Sequence, residues 1–424
     1  METTAVSGAA GSPGPAGSTQ GRRPSWVLGL AILLAAVTWL GPFLAMNTVL
    51  IPAKLDVIAP DDKVALIATI SAVGAIVSLV STIAFGALSD LTRSRFGRRT
   101  PWMLVGSVGS AAMILLVRAA ESPSAVVVGW ALFQVFLAAI VAPLVAVIPD
   151  RVPQSSRGAF SSVYGVSMMV GGAVGTMVAS RFIVDPEQGM LVMACMILVS
   201  GPVMAVLAPD TSNVGVAREQ FSSSMLLHNF AFPTKNSRDF YLALAAKLFF
   251  VVGTYMVTGY QLYILTDYMG ATKAQAGDTI ALISIISLVL GLLFAAISGP
   301  ISDRVGRRKI FVVVAALLLA VGALFPLLVG EIWTMLVFAV FSAVGGGIFN
   351  SVDQAINYDV LPDPETAAKD LGIINMANTG GQVFGPLVGS AVVGILGGFS
   401  AVFAVSAVVM VVSAGFIRSI KKSR

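Results

Sequence analysis

Two side chains of opposite charge each lie inside a long apolar stretch of this chain. Lys247 follows Asp239 by eight residues, and Asp353 precedes Pro362 by nine. At 1.5 Å per helical residue, both lie about 12 to 13 Å from the end of their stretch. Ionisable groups at that depth are costly and mark functional sites by default. We therefore predict that Lys247 and Asp353 pair in at least one conformation.

Such a pair could couple protonation to movement. A nearby cation favours the ionised carboxylate, whereas a dry site without a cation disfavours it. Asp353 is therefore a candidate for proton exchange or for coupling to a solute. The alternative is that Lys247 reaches back to the surface along its flexible stem and that Asp353 only ties helices together.

Uncharged polar residues accompany the pair at helical spacing. Asn350 and Asn357 share a helix face with Asp353, and Gln261 continues the face of Lys247. Amide groups, which both donate and accept hydrogen bonds, suit a neutral, hydroxyl-rich solute, although they also join helices to one another. Further candidates of this kind are Asn47, Gln134, Tyr164, Asn375, Asn378 and Gln382, with Trp39, Tyr255, Tyr260 and Tyr263 able to stack on a ring.

A charged signature occurs twice, as GALSDLTRSRFGRR over 86–99 and as GPISDRVGRR over 299–308. Its aspartates, Asp90 and Asp303, are 213 residues apart (303 − 90), as are Asp150 of IPD and Asp363 of LPD (363 − 150). Two markers at one offset, close to half the chain, indicate an internal duplication. At this offset Lys247 corresponds to Leu34 and Asp353 to Ile140, so the interior charges belong to one half only.

The signature has the features of a conformational switch. Its first glycine permits close helix packing, and its aspartate can accept hydrogen bonds from a helix N-terminus and pair with the loop arginines. Such a cluster can form in one arrangement and break in another. The alternative is that the basic residues only fix topology. The predicted switch residues are Gly86, Asp90, Arg95, Gly97, Arg98, Arg99, Gly299, Asp303, Arg304, Gly306, Arg307 and Arg308.

Composition places these residues in a bilayer. The 424 residues are 57% hydrophobic and only 11% charged, whereas soluble domains carry about 25% charged residues. A bilayer core requires about 20 apolar residues per helix. The sequence predicts an all-α membrane protein with twelve spans, at 26–51, 64–88, 101–119, 124–148, 158–182, 189–207, 239–265, 276–301, 309–329, 332–358, 371–393 and 396–417.

The spans group into two predicted six-helix bundles, 26–207 and 239–417. Residues 1–25 are predicted to be a disordered tail, 208–238 a solvated central loop, and 418–424 a basic tail. Most of the 26 Lys and Arg residues fall in loops on the side of both termini, which predicts that this side is cytoplasmic. The net charge of +5 thus indicates topology and not nucleic-acid binding.

Enzyme chemistry has little support. One cysteine, Cys195, and one histidine, His228, exclude a disulfide framework and leave no basis for a Cys/His metal site or a His-based triad. We therefore expect neither catalysis nor a cofactor or metal. We expect instead a monomer in the cell membrane that acts on a small-molecule solute.

The twelve spans and the repeated loop resemble the major facilitator superfamily. Four segments, SDLTRSRFGRRTPW, RDFYLALAAKLFF, VDQAINYDVLPD and KDLGIINMAN, resemble the glycoside-pentoside-hexuronide cation symporters and sucrose transporters. The resemblance implies two bundles that rock about a central site lined by the first, fourth, seventh and tenth spans. It also implies secondary active transport of a sugar or glycoside.

One departure from that group concerns the coupling ion. Its members carry acidic residues in the second and fourth spans, whereas 64–88 and 124–148 here contain no Asp or Glu. Sodium coupling is therefore doubtful, which leaves proton coupling through Asp353 or facilitated diffusion. Efflux of drugs or other organic solutes stays a second hypothesis, and a transporter-like sensor without transport stays a third.

Overall fold

A computed structural model describes residues 25–214, 232–233, 237–362 and 367–421, and no β-strand occurs among these residues. Twelve helices are long and apolar enough to cross a membrane, as predicted. They are α1 Trp26–Ile58, α2 Lys63–Leu91, α3 Thr100–Ala119, α4 Pro123–Arg151, α5 Gln154–Phe182, α6 Pro186–Leu207, α7 Arg238–Thr258, α8 Lys273–Val305, α9 Arg308–Leu328, α10 Ile332–Asp359, α11 Lys369–Leu396 and α12 Phe399–Arg418.

Local sequence sets where these helices begin and end. The side chain of Thr272 accepts a hydrogen bond from the backbone of Gln275, whose side chain bonds back, so that a capping box starts α8. Gly306, with φ +65°, ends the same helix in the left-handed region that favours glycine. Because such signals lie outside the apolar core, several helices extend beyond the predicted limits.

The first and seventh spans are irregular near the end opposite the signature loops. Span α1 contains a π-helical turn over Met46–Leu50 and then continues to Ile58, beyond its predicted end. Helix α7 stops at Thr258, earlier than predicted, and is followed by the short turn Gln261–Tyr263 and a π-helical turn over Ile264–Tyr268. Both spans therefore depart from regular α-helix at equivalent places.

The two halves pack in the same pattern. Helix α1 contacts α5 and α6 as α7 contacts α11 and α12, and α4 contacts α2 and α3 as α10 contacts α8 and α9. Small residues permit the close approaches: a Cβ added at Gly175 of α5 would lie 2.4 Å from the Cα of Gly41 in α1. Between the halves, the main contacts join α2 to α11 and α5 to α8.

Candidate functional site

The structure brings the two predicted interior charges together. The ammonium Nζ of Lys247 on α7 donates to Oδ2 of Asp353 on α10 over 2.7 Å. Their side chains are 2% and 8% exposed. At this burial Lys247 does not reach back to the surface, and the two charges neutralise each other inside the second half.

Two amides complete the pair. Lys247 Nζ also donates to Oδ1 of Asn375 on α11 over 3.1 Å, and Nδ2 of Asn357 donates to the same oxygen of Asp353 over 2.8 Å. A buried ion pair is tolerated when further hydrogen bonds satisfy both partners, as they do here. The cluster therefore links α7, α10 and α11 through one ionisable group of each sign.

The cluster is closed on one side and accessible on the other. The rings of Phe250 and Phe349 stack beside it, with centroids 3.8 Å apart and planes 7° from parallel. Asn375 and Asn350, by contrast, are exposed. Asn357 is buried, and its Oδ1 has no hydrogen-bond partner. The site therefore offers a free buried acceptor next to a charge pair, with one accessible edge.

Three other predicted residues of the second half lie farther from the pair. Asn378 and Gln382 are half-buried on α11, one and two turns beyond Asn375. Gln261 does not continue the face of Lys247, because α7 ends at Thr258 and the chain turns there. The prediction for Gln261 was wrong in this respect, since a broken helix does not keep its periodicity.

The first half supplies aromatic rings on α1 and α4 and an amide on α4. Phe43 of α1 lies between Trp39 of the same helix, with ring centroids 6.5 Å apart, and Trp130 of α4, whose ring stacks on Phe43 with centroids 5.8 Å apart. Gln134 lies one turn after Trp130 and is buried. Both Trp39 Nε1 and Gln134 Oε1 lack a hydrogen-bond partner. This buried, uncharged cluster therefore holds one unused donor and one unused acceptor.

The remaining candidates of the first half are less buried. Asn47 lies in the π-helical turn of α1, and Tyr164 lies on α5, and both are half-buried. π-helical turns occur frequently at functional sites, which keeps Asn47 of interest.

The first signature loop forms a compact ionic cluster. The guanidinium of Arg99 donates to Ser89 and pairs with Asp90 at 2.6 Å and Asp150 at 2.9 Å. Arg98 pairs with the other carboxylate oxygen of Asp150 at 2.6 Å. The loop thereby joins the ends of α2, α3 and α4.

The second loop repeats this arrangement and corrects the predicted correspondence of the halves. Arg308 pairs with Asp303 at 2.9 Å and with Asp359 at 3.2 Å. Asp359 thus does what Asp150 does, at an offset of 209 (359 − 150), the same as Arg308 to Arg99 (308 − 99). The first copy of the loop is four residues longer than the second. Equivalent residues are therefore 213 positions apart before this insertion and 209 positions apart after it.

The offset of 209 changes the residue that corresponds to Asp353, but the interior charges still have no charged counterpart in the first half. Asp353 corresponds to Leu144 and not to Ile140, while Lys247 still corresponds to Leu34. Asp363, which the sequence pairs with Asp150, lies outside the described residues. The interior charges therefore have apolar counterparts in the first half on either count.

Two polar residues at the start of the central loop were missed by sequence reasoning. Oδ2 of Asp210 accepts hydrogen bonds from the backbone N–H groups of Arg98 and Arg99, at 3.0 and 3.3 Å. Asn213 accepts from the N–H of Ser94 and donates to the carbonyl of Thr92. The interpretation of 208–238 as a solvated linker was therefore wrong for these two residues.

The other switch residues divide into close-packed and exposed positions. Gly97, with φ +81°, lies directly against Asp210, whereas Arg95, Arg304 and Arg307 are exposed. A Cβ on Gly299 would lie 2.8 Å from the hydroxyl of Ser351, as close packing requires. The same prediction was wrong for Gly86, because among the described residues no atom of a neighbouring element lies within 4 Å of an added Cβ there.

Comparisons with known proteins agree with this architecture. The chain resembles the nucleoside transporter NupG at 15% identity, with 93% of this chain and 100% of that one covered and a TM-score of 0.72. It resembles a POT family transporter in complex with a thioalcohol conjugated peptide at 12% identity, with 92% of this chain and 95% of that one covered and a TM-score of 0.73. It also resembles the human organic anion transporter MFSD10 (15%, 93% and 100%, 0.62). No curated protein sequence matches significantly.

The sequence itself matches one protein family over most of its length, in two overlapping segments. The matched residues are 43–272 and 242–423, so that each segment covers roughly one half of the duplicated chain. The chain therefore belongs to the Major Facilitator Superfamily.

Proposed function

We propose that this transporter is a proton-coupled secondary transporter of a small, neutral, hydroxyl-rich solute of the sugar or glycoside class. The observation that carries the proposal is the buried Lys247–Asp353 pair, which links three helices of one half. Transporters use intramembrane ionisable residues as proton relays and solute contacts.

Protonation of Asp353 would change the balance of charge in the cluster. With Asp353 ionised, the pair is neutral and holds α10 against α7. A proton on Asp353 removes that attraction and leaves the Lys247 ammonium unneutralised in a site that is closed by Phe250 and Phe349. A buried unpaired charge is strongly unfavourable, so the protonated form favours an arrangement in which Lys247 reaches water or a solute.

The first half supplies the features that suit a neutral ring. Trp39, Phe43 and Trp130 form an aromatic cluster in which Phe43 is the half-buried ring, and Gln134, one turn after Trp130, has an amide oxygen without a partner among the described residues. Sugars offer an apolar ring face and hydroxyl groups that both donate and accept, so they match such a surface. The similarity to nucleoside and peptide transporters at 12% to 15% identity supports the fold, and the choice of solute rests on this chemistry.

We further propose that the protein lies in the cell membrane with both termini in the cytoplasm. The signature loops carry a concentration of positive charge, from Arg93 to Arg99 in the first copy and from Arg304 to Lys309 in the second. Loops with an excess of Lys and Arg stay on the cytoplasmic side. The signature loops then regulate the cytoplasmic face of the transporter.

Uptake into proteoliposomes tests the proposal. A panel of neutral sugars and glycosides, nucleosides and lipophilic cations is measured with and without an imposed pH gradient, with sodium replaced by potassium in a parallel series. We expect accumulation of a neutral sugar or glycoside that depends on the pH gradient and not on sodium. Empty liposomes are the control. Accumulation of lipophilic cations alone would favour drug efflux, and uptake unaffected by any gradient would favour facilitated diffusion.

A further inference from the structure

The two halves are held together at one end of the molecule. In the described part of the chain, the halves are joined by hydrogen bonds and ion pairs at the end opposite the signature loops and in the adjoining half of the spans. We propose that four charged side chains at this end, Asp56, Lys63, Asp267 and Lys273, form a gate that must open to admit a solute from that side.

The four residues form a chain of alternating charge. Nζ of Lys63 lies 2.7 Å from Asp56 Oδ1 and 2.7 Å from Asp267 Oδ2, and Nζ of Lys273 lies 3.0 Å from Asp56 Oδ2. Asp56 and Lys63 belong to the first half, and Asp267 and Lys273 to the second. The order of the charges is Asp267, Lys63, Asp56 and Lys273, so the two residues of the first half lie between the two of the second. Separation of the halves must break both bridges that cross between them.

Neighbouring groups reinforce the gate. The Lys63 ammonium also lies 4.7 Å from the centroid of the Tyr263 ring. The hydroxyl of Tyr263 donates to the carbonyl of Pro52 over 2.9 Å, and that of Tyr260 contacts the carbonyl of Val64 at 3.2 Å. Both hydroxyls reach from the second half to the first. Partly buried ion pairs in such a network contribute more than isolated surface pairs do.

The backbone of both halves is irregular at the gate. Asp267 lies within the π-helical turn Ile264–Tyr268, and the turn Met46–Leu50 precedes the last helical segment of α1, which carries Asp56. π-helical turns mark places where a helix is locally strained or adapted to function. The two irregular spans therefore carry the carboxylates of the gate, while the regular helices α2 and α8 carry its ammonium groups at their first residues.

Distance measurements by electron paramagnetic resonance test this gate without any solute. Spin labels are placed at the exposed positions Val57 and Ala274 in a Cys195→Ser background, and the protein is studied in nanodiscs. We expect one short distance in the parent. Lys63→Met keeps the apolar stem but removes the charge, and should shift much of the distribution to longer distances. Asp267→Asn breaks one crossing bridge and should give a smaller shift.

A charge exchange and a matched control complete the test. Lys273→Asp alone should lengthen the distance, and reversing all four charges (Asp56→Lys, Lys63→Asp, Asp267→Lys and Lys273→Asp) should restore it, because every bridge of the chain, including Asp56–Lys63, again joins opposite charges. The control is Arg181→Ala, which removes an exposed pair between the halves with Asp278, 66% and 68% exposed, and should change nothing.

The gate is overturned if Lys63→Met leaves the distances unchanged, or if the exchange fails to restore them in protein that elutes as a single species. Because no transport is measured, this result is independent of the proposed solute and coupling ion.

Discussion

The two signature loops share a sequence motif but differ in the burial of their central arginine and in the contacts that hold them. In the first, the side chain of Arg99 is 7% exposed, and Asp210 and Asn213 fasten the loop from outside. In the second, Arg308 is 33% exposed and pairs with Asp303 and Asp359. The segment after the sixth span of that half contributes the carbonyl of Ile420, which accepts from Lys309. The repeated motif is therefore buried and hydrogen-bonded to different extents in the two halves, in part because different neighbouring segments contact each loop.

The interiors of the halves also differ, since the first is uncharged at the positions where the second holds its ion pair. The half with the tightly held loop has Leu34 and Leu144 where the other has Lys247 and Asp353, and it presents aromatic rings with an amide. The half with the looser loop holds the ion pair. We interpret the first half as the wall that binds the solute and the second as the half whose arrangement depends on protonation. Each of the following variants changes one side of this comparison.

The largest effect is expected from Asp353→Asn, which removes the feature that distinguishes the second half. It leaves the Lys247 ammonium buried without a carboxylate, and breaking a buried pair in this way costs about 3 to 5 kcal/mol. We expect a marked fall in thermal unfolding temperature in detergent. The double variant Lys247→Met with Asp353→Leu, which removes both charges, should recover most of the loss. Equal destabilisation in the single and double variants would contradict the reading of the cluster as a charge pair.

A smaller difference is expected between equivalent arginines of the two loops. Arg99→Ala removes the arginine that bonds Ser89 and Asp90 and one of the two arginines that pair with Asp150. In the buried part of this cluster a hydrogen bond to a charged group is worth about 1.5 to 3 kcal/mol. Arg308→Ala breaks partly exposed pairs worth about 0.2 to 1 kcal/mol. The measurement is the difference in unfolding temperature between the two variants. If Arg308→Ala proved equally or more damaging, the loops would not differ as described.

The smallest effect is expected from Asp210→Ala, which makes the first loop more like the second. Loss of a side-chain acceptor at a helix N-terminus costs about 1 kcal/mol. Asp210→Asn keeps an acceptor oxygen and should lose less. Hydrogen exchange at the start of α3 should accelerate in Asp210→Ala. Unchanged exchange would show that the central loop does not fasten the first signature.

Depth and periodicity in the sequence were sufficient to predict the spans and to single out Lys247 and Asp353. These two residues were recognisable because a charged side chain in an apolar run is rare. Asp210 and Asn213 were not, because polar residues in a linker are ordinary. Asp359 was missed because a four-residue difference between the loops shifts the register, which only the contact with Arg308 reveals.

The gate was equally hidden from the sequence. Asp56, Lys63, Asp267 and Lys273 lie at span ends, where charged residues are expected at a membrane surface. Nothing in their spacing joins residues that are more than 200 positions apart, such as Lys63 and Asp267. Contacts between the halves depend on how the bundles are arranged, and helical periodicity carries no information about that arrangement.

The central claim, that the ion pair of the second half couples protons to solute movement, is tested most directly with Lys247→Met combined with Asp353→Asn. This variant removes both charges of the cluster and keeps an amide next to Asn357. Two activities are measured in proteoliposomes with the solute found in the uptake panel: accumulation driven by a pH gradient, and exchange of labelled for unlabelled solute. The account predicts that exchange persists while gradient-driven accumulation is lost. Accumulation at the level of the unmodified protein would contradict it.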